Sequence, residues 1–380
     1  MANSRVNKPT AMSITDLHET FLQLLRFSIG ATPEPPHPPT PAEWQTLFHI
    51  AKQQELTGVL LQGISHLPDG YPPPPFPLLM TWVGEGQMLH TLNEQLFQQT
   101  AQVYHRLRQD GFRACILKGQ GNALLYPNAY ARTPGDIDIW LSGGRQRIIA
   151  YADEHCPGQQ VRYHHIDLPI LPGAPVEAHF TPSFLHAPHH NRRLQAWFRQ
   201  QADEQFEHRV PWPTGEGEVI PVPTPQFNLV FLLSHLYHHV FTEGIGLRQL
   251  LDYYLTLRHP SLTPAHRAAA MHTIQRTGMA HFCAAIMHVL SRALALPPEL
   301  MLCSPHAGEG ERLFAEVMRG GNFGMYDDKL GEKHGESKLR RNLRMELQNA
   351  ALLFRYPTEV LCEPFFRTGI YLRRKINGRK

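Results

Sequence analysis

Two aspartates one residue apart, in GDIDIWL (residues 135–141), are the side chains best placed to do chemistry. The stretch alternates acidic and apolar residues, the period-two pattern of a strand. Residues i and i+2 of a strand share a face. Asp136 and Asp138 therefore project side by side, while Ile137 and Ile139 turn into a core. Carboxylates this close raise each other's pKa, and a cation between them relieves the repulsion. Hard dications such as Mg²⁺ take oxygen ligands and keep positions open for phosphate oxygens. A third acid on a neighbouring strand would complete the site, and Glu177 in VEAHF is placed to supply it. Two metal ions bridged by three carboxylates can clamp the attacking and leaving oxygens of an in-line phosphoryl displacement.

Upstream, the run ILKG leads into Gly119-Gln120-Gly121 and a short helix. Glycines let backbone N–H groups approach phosphate, and a helix N-terminus favours negative charge. Lys118 adds a point charge on a phosphate, and Arg132, four residues before Asp136, is a further phosphate ligand. Each piece also has a plain reading: a solvated strand edge, an ordinary strand-to-helix turn, a surface charge. Their order and spacing together match a single catalytic layout.

Two other groups invite attention. His235, His238 and His239 lie in SHLYHHVF, on a helix, where a metal site is the minority reading and the preferred one is polar residues that line a cleft or are buried with backbone partners. His164, His165, His179, His189 and His190 lie near the acidic strands in sequence, and one of them could move a proton. In GIGLRQLLDYY, Arg248 and Asp252 are one helical turn apart. That spacing suits an intrahelical ion pair; alternatively, Arg248 faces a bound nucleotide from the helical side.

The elements that must position these residues fall into three segments, and the fold class read from them is α+β. Residues 1–110 are a helical N-terminal region, with helical spacing over 14–29, 42–66 and 78–110 broken by proline-rich connectors. Residues 111–222 are an α+β core. It holds the strands FRACILKG and GDIDIWL, a helix at 145–155, and three short extended runs: VRYHH, DLPIL and PVEAHF. The last two meet in a hairpin turn at Pro172-Gly173, and GEVIPVP is the closing strand. Residues 223–380 are a helical C-terminal domain, from PQFNLVFLLSHLYHHVF through a helix expected over Asn342 to Tyr356, with GGNFG (320–324) as a turn or a lid.

Composition sets the class. With 380 residues, 42% hydrophobic and 18% charged, the chain can bury a real core without disulfide staples. A net charge of +3 is too mild to argue for nucleic acid by itself. The five cysteines are scattered, without a CxxC pair, which excludes a disulfide framework and a cysteine zinc site and makes a reducing cytoplasm the expected compartment. No signal-peptide core and no transmembrane run are found in the sequence. Basic residues gather at the end: Lys338 to Lys380 holds 11 Lys or Arg against 3 Glu. This tail is either simply solvated or a contact for an acidic partner, RNA or an anionic surface.

LKGxxxxxLYP, RxPGDIDIW, HHIDLPI, VEAHF and GIGLRQLLD resemble the bacterial proteins grouped as uncharacterised nucleotidyltransferases, within the DNA-polymerase-β-like superfamily. The resemblance is close over roughly residues 110–260, with GGNFG and RYP extending it. It implies a small mixed sheet with flanking helices, Asp136, Asp138 and Glu177 as metal ligands for two Mg²⁺ ions (Mn²⁺ as the substitute), and a triphosphate cradle at Lys118, Gly119, Gln120 and Gly121. The superfamily usually has Gly-Gly or Gly-Ser at the cradle; this chain has Lys118-Gly119, so backbone amides, Lys118 or Gln120 must replace the serine. The activity implied is transfer of a nucleoside monophosphate from an NTP, ATP first among them, to a hydroxyl of a small molecule, a protein or an RNA. Two rivals are carried: a nucleotide-binding regulatory or partner protein without turnover, and a phosphotransferase with a similar metal site.

Overall fold

The computed structural model describes residues 14–325 and 352–376. The N-terminal helices are α1 (Ile14–Ser28), α2 (Pro41–Gln53), α3 (Thr57–Ser65) and α4 (Phe76–Gln109). Thr40 opens α2 with a full capping box: its hydroxyl accepts from Glu43 N, and the Glu43 carboxylate accepts from Thr40 N at 2.7 Å. The central region runs β1 (Ala114–Ile116), α5 (Lys118–Ala123), β2 (Ile137–Leu141), α6 (Gly144–His155), β3 (His165–Asp167), β4 (Val176–His179), α7 (Pro188–Glu207), β5 (Arg209–Pro211) and β6 (Val219–Pro221). Helices α8 (Pro225–Val240), α9 (Leu247–Leu257), α10 (Pro264–Arg276), α11 (Ala280–Leu294), α12 (Ala307–Gly320) and α13 (Pro357–Ile376) follow. The class is α+β, as the sequence predicts: a small mixed sheet among many helices.

The main sheet has the order β1-β2-β4-β3. β2 pairs with β1 antiparallel and with β4 parallel, and β3 returns antiparallel on β4. The expected hairpin across Pro172-Gly173 is the β3–β4 connection. Three strand expectations are revised. Of DLPIL only Asp167 lies in a strand, β3 ending there. VRYHH contributes an isolated bridge, Val161 to Ile166, rather than a strand of its own. GEVIPVP does not close the main sheet; its Val219–Pro221 pairs with Arg209–Pro211 in a separate two-stranded ribbon. Prolines at 211, 213, 221 and 223 remove ladder donors, so this segment suits a short edge ribbon.

Alternation divides the sheet's faces. Ile116, Ile137, Ile139, Ile166, Val176 and Ala178 face a core shared with α4 and α6. The opposite face carries Cys115 and Trp140, which join the larger helical core. There Trp140 stacks on Phe227 of α8, ring centroids 5.9 Å apart, and tilts against Phe206 of α7 at 4.8 Å. These aromatic contacts hold the helical layer against that face of the sheet. In α8, capped by the Thr224 hydroxyl accepting from Phe227 N at 3.2 Å, ten consecutive-to-near-consecutive positions from Phe227 to Tyr237 are buried. Its hydrophobicity all round is that of a core helix. Among the described residues no helix is long and apolar enough to cross a membrane. The helix expected over Asn342 to Tyr356 lies outside the described residues up to position 351, and no side chain of the basic end YLRRKINGRK is described.

Candidate active site

The sheet face opposite the α4 core forms the floor of a cleft of about 540 Å³, walled by α8 and α9. Asp138 of β2 and Glu177 of β4 are register partners on parallel strands, so the two carboxylates stand side by side. His179, two residues beyond Glu177 on the same face, is fully buried, and its Nε2 lies 2.8 Å from Asp138 Oδ1 and 3.5 Å from Glu177 Oε2. One donor atom from each of these three residues lies within 4.8 Å of the others. Lys118 Nζ sits 2.8 Å from the same Asp138 oxygen.

The electrostatics follow from these contacts. Burial alone would raise the Asp138 pKa, but the Lys118 ammonium and the His179 hydrogen bond outweigh it and hold the carboxyl well below its usual range. Glu177 is lowered likewise: burial opposes the shift, and the hydrogen bond from His179 carries it. For His179, burial disfavours the charged imidazolium, yet the hydrogen bonds to Asp138 and Glu177 together raise its pKa.

Asp136 lines the same cleft, immediately before β2, with an exposed side chain. Its pKa is raised by partial desolvation and then by repulsion from Glu177 and Asp138. It belongs to none of the tight donor clusters found among the described residues; those use histidines and Asp167 in its place. The sequence pattern thus brings Asp136 and Asp138 to one face, but the compact cluster is Asp138–Glu177–His179. The i, i+2 pairs Glu177-x-His179 and His165-x-Asp167, on strands that pair in a hairpin, carried the signal for His179, His165 and Asp167.

Histidines line the inner wall. His164 Nε2 is 3.1 Å from His165 Nδ1, and His235 Nε2 is 3.1 Å from His239 Nε2 on the next turn of α8. Burial depresses the pKa of His164, His235 and His238 far below the ordinary imidazole value, and that of His165 to about 3. These rings are neutral at pH 7. His235, His238 and His239 all line the cleft, the first branch of the preferred reading.

The turn before α5 is divided. Lys118 and Gly119 face the cleft, whereas Gln120 and Gly121 do not line it. Gln120 is buried and donates to Asn93 Oδ1 of α4 at 3.1 Å, and Gly121 packs near Ile116 O and Val222. The break comes at two left-handed residues, Lys118 at φ +34° and Gly119 at φ +43°. A side chain at Gly119 would meet Asp136 O at 3.1 Å, so the turn lies directly over the acidic strand. A non-glycine residue held in this region is a local strain of the kind found at functional sites.

Arg132 reaches the cleft wall but is fully engaged there. Its Nε and Nη2 donate to the two oxygens of Asp252 at 2.9 and 2.8 Å, and both groups are buried. Tyr126 Oη and Asn122 Nδ2 donate to the same carboxylate at 2.8 and 3.2 Å. Arg248 forms an ion pair with Glu55, Nη1 to Oε2 at 2.6 Å, and donates to Thr133 O at 3.2 Å. The intrahelical Arg248–Asp252 pair is thus replaced by two long-range pairs. Arg162, which sequence reasoning passed over, lines the cleft with an exposed side chain.

Residues 40–295 match the family described as "Uncharacterised nucleotidyltransferase". The chain belongs to that family. The match spans the sheet, the cleft and the helices α8 and α9 that wall it. Among solved structures, an antigenic nucleotidyltransferase-like protein from Paracoccidioides brasiliensis is similar, with 14% identity, a TM-score of 0.35, and coverage of 57% of this chain and 96% of that one. No curated protein matches the chain.

Proposed function

We propose that the cleft transfers a nucleoside monophosphate from an NTP, ATP by preference, to an acceptor hydroxyl with release of pyrophosphate. The observation that carries this reading is the register pairing of Asp138 with Glu177 beneath the strained Lys118-Gly119 turn. The donor set fits a dication: two carboxylates and the His179 imidazole converge within 4.8 Å, in a cleft open at the exposed Asp136 side. In this reading Asp138 and Glu177 hold the metal, Asp136 joins them from the cleft mouth, and two Mg²⁺ ions (or Mn²⁺) are used. When bound, such ions supply charge neutralisation at the phosphoryl oxygens and a more acidic acceptor hydroxyl.

The chain's own residues do the rest. Lys118 exchanges its bond to Asp138 for the triphosphate, and Arg162 adds a second positive charge at the mouth. The Gly119 backbone lets phosphate approach the acidic strand closely. Glu177, oriented by His179, takes the acceptor proton. The neutral imidazoles and Phe184 of the inner wall limit water around the reacting groups. Arg132 holds the wall through Asp252 and acts by positioning α9.

One observation favours the rival reading of a nucleotide-binding protein without turnover: Lys118 already neutralises Asp138. Labelled ATP separates the readings. Label from the α-phosphate appearing on an acceptor supports nucleotidyl transfer; label from the γ-phosphate supports a phosphotransferase; ATP binding with neither supports the non-catalytic reading.

A further inference from the structure

The sheet face carries more donors than a phosphoryl-transfer site needs. Register places Asp138, Glu177 and Asp167 in one row across β2, β4 and β3. The next row holds Trp140, His179 and His165. Because i and i+2 share a face, β4 and β3 each present a carboxylate beside an imidazole. We infer that His165, Asp167 and Glu177 form a separate cation site that takes a first-row transition dication, Zn²⁺ in particular, in preference to Mg²⁺.

Three observations carry this. One donor atom from each of the three residues lies within 4.8 Å of the others. His165 is 5% exposed, and its Nε2 is buried without a hydrogen-bond partner, 4.0 Å from Asp167 Oδ1. That gap is too long for a hydrogen bond; two donors each about 2.0–2.2 Å from one zinc ion stand roughly 3–4 Å apart. Finally, the other ring nitrogen, His165 Nδ1, faces His164 Nε2 at 3.1 Å and Glu177 Oε2 at 3.4 Å. A proton held at Nδ1 by the His164 Nε2 acceptor leaves the His165 Nε2 lone pair free, the arrangement that orients metal-binding histidines. Imidazole suits zinc and its neighbours, whereas Mg²⁺ keeps to oxygen. The Asp167 side chain, 42% exposed, gives an ion its way in from solvent. The inference shares Glu177 with the transfer reading and otherwise stands apart from it.

The test is a zinc titration of the full chain, stripped with chelator and free of nucleotide, against a chromogenic competitor. Cobalt absorption reports nitrogen ligation in parallel. One zinc per chain is expected, bound at micromolar concentration or tighter and not displaced by millimolar Mg²⁺. Asp167→Asn and His165→Asn each weaken it at least about tenfold, while Asp138→Asn and the remote His105→Ala leave it within about twofold. Thermal melts confirm folding, and Asp167→Asn, at an exposed side chain, keeps the test open should the His165 variant fail to fold. No zinc binding, equal affinity in all four variants, or a loss in Asp138→Asn matching that in Asp167→Asn overturns the inference. Transfer from [α-³²P]ATP with Mg²⁺ is scored separately: zinc binding without transfer overturns the catalytic reading alone, and transfer without zinc binding overturns this one alone.

Discussion

Two buried charged clusters line one cleft, and they differ in how completely their atoms are satisfied. Around Asp252, both carboxylate oxygens are filled: Arg132 and Tyr126 donate to one, Arg132 and Asn122 to the other. Around Asp138 and Glu177, buried nitrogens of His164, His165 and His179 have no partner. Burying a polar atom without a hydrogen bond costs free energy, so a fold retains such atoms where they serve something other than stability. A saturated cluster behaves as a joint; an unsaturated one behaves as a receptor.

The sharpest way to break that comparison is Asp138→Asn. It should lower α-phosphate transfer by at least about 100-fold, or roughly 2.7 kcal/mol of transition-state stabilisation, with an unchanged circular dichroism spectrum. A variant with full turnover removes Asp138 from the chemistry. Asp252→Ala should do the reverse. It leaves Arg132 buried and uncompensated, at a cost of about 3–5 kcal/mol, read as a lower urea midpoint, while transfer per folded molecule falls less than tenfold. Equal losses of activity and stability in both variants would erase the distinction between joint and receptor.

Acid sharpens it further. His164, His165, His235 and His238 have folded pKa values below the ordinary 6.5. Below pH 6.5 the unfolded chain takes up protons that the folded chain refuses, so stability falls as pH drops. His179, raised instead, contributes the opposite sign. The melting temperature should therefore be several degrees lower at pH 5.5 than at pH 7.5; an equal or higher value at pH 5.5 would mean that these rings are not held neutral. The smallest effect is expected from Gly119→Ala. Its φ of +43° and the 3.1 Å approach to Asp136 O predict a loss of about 1–2 kcal/mol, visible as a modest fall in melting temperature.

Much of the floor of the cleft was legible in the chain. GDIDIWL and VEAHF announce their strands by alternation, and the Pro172-Gly173 break marks the hairpin that brings Asp167 opposite Glu177. Helix α7 was passed over although Leu194, Trp197, Phe198 and Phe206 repeat at helical spacing, because polar and charged residues dominate the rest of the segment. Gln120 and Gly121 read as cradle residues alongside Lys118 and Gly119. Two consecutive left-handed residues turn the chain so that only the first pair faces the cleft.

What the sequence determined is local: the period of each strand, hence that Asp136 and Asp138 share a face and that Ile137 and Ile139 do not. What tertiary structure decided is which charge meets which. Arg132 and Asp252 are 120 positions apart, and Arg248 finds Glu55 rather than the acid one turn away. Periodicity follows from backbone geometry that every short segment carries within itself. Pairing depends on strand register and on how α9 docks against the sheet, which are set by the packing of the whole core.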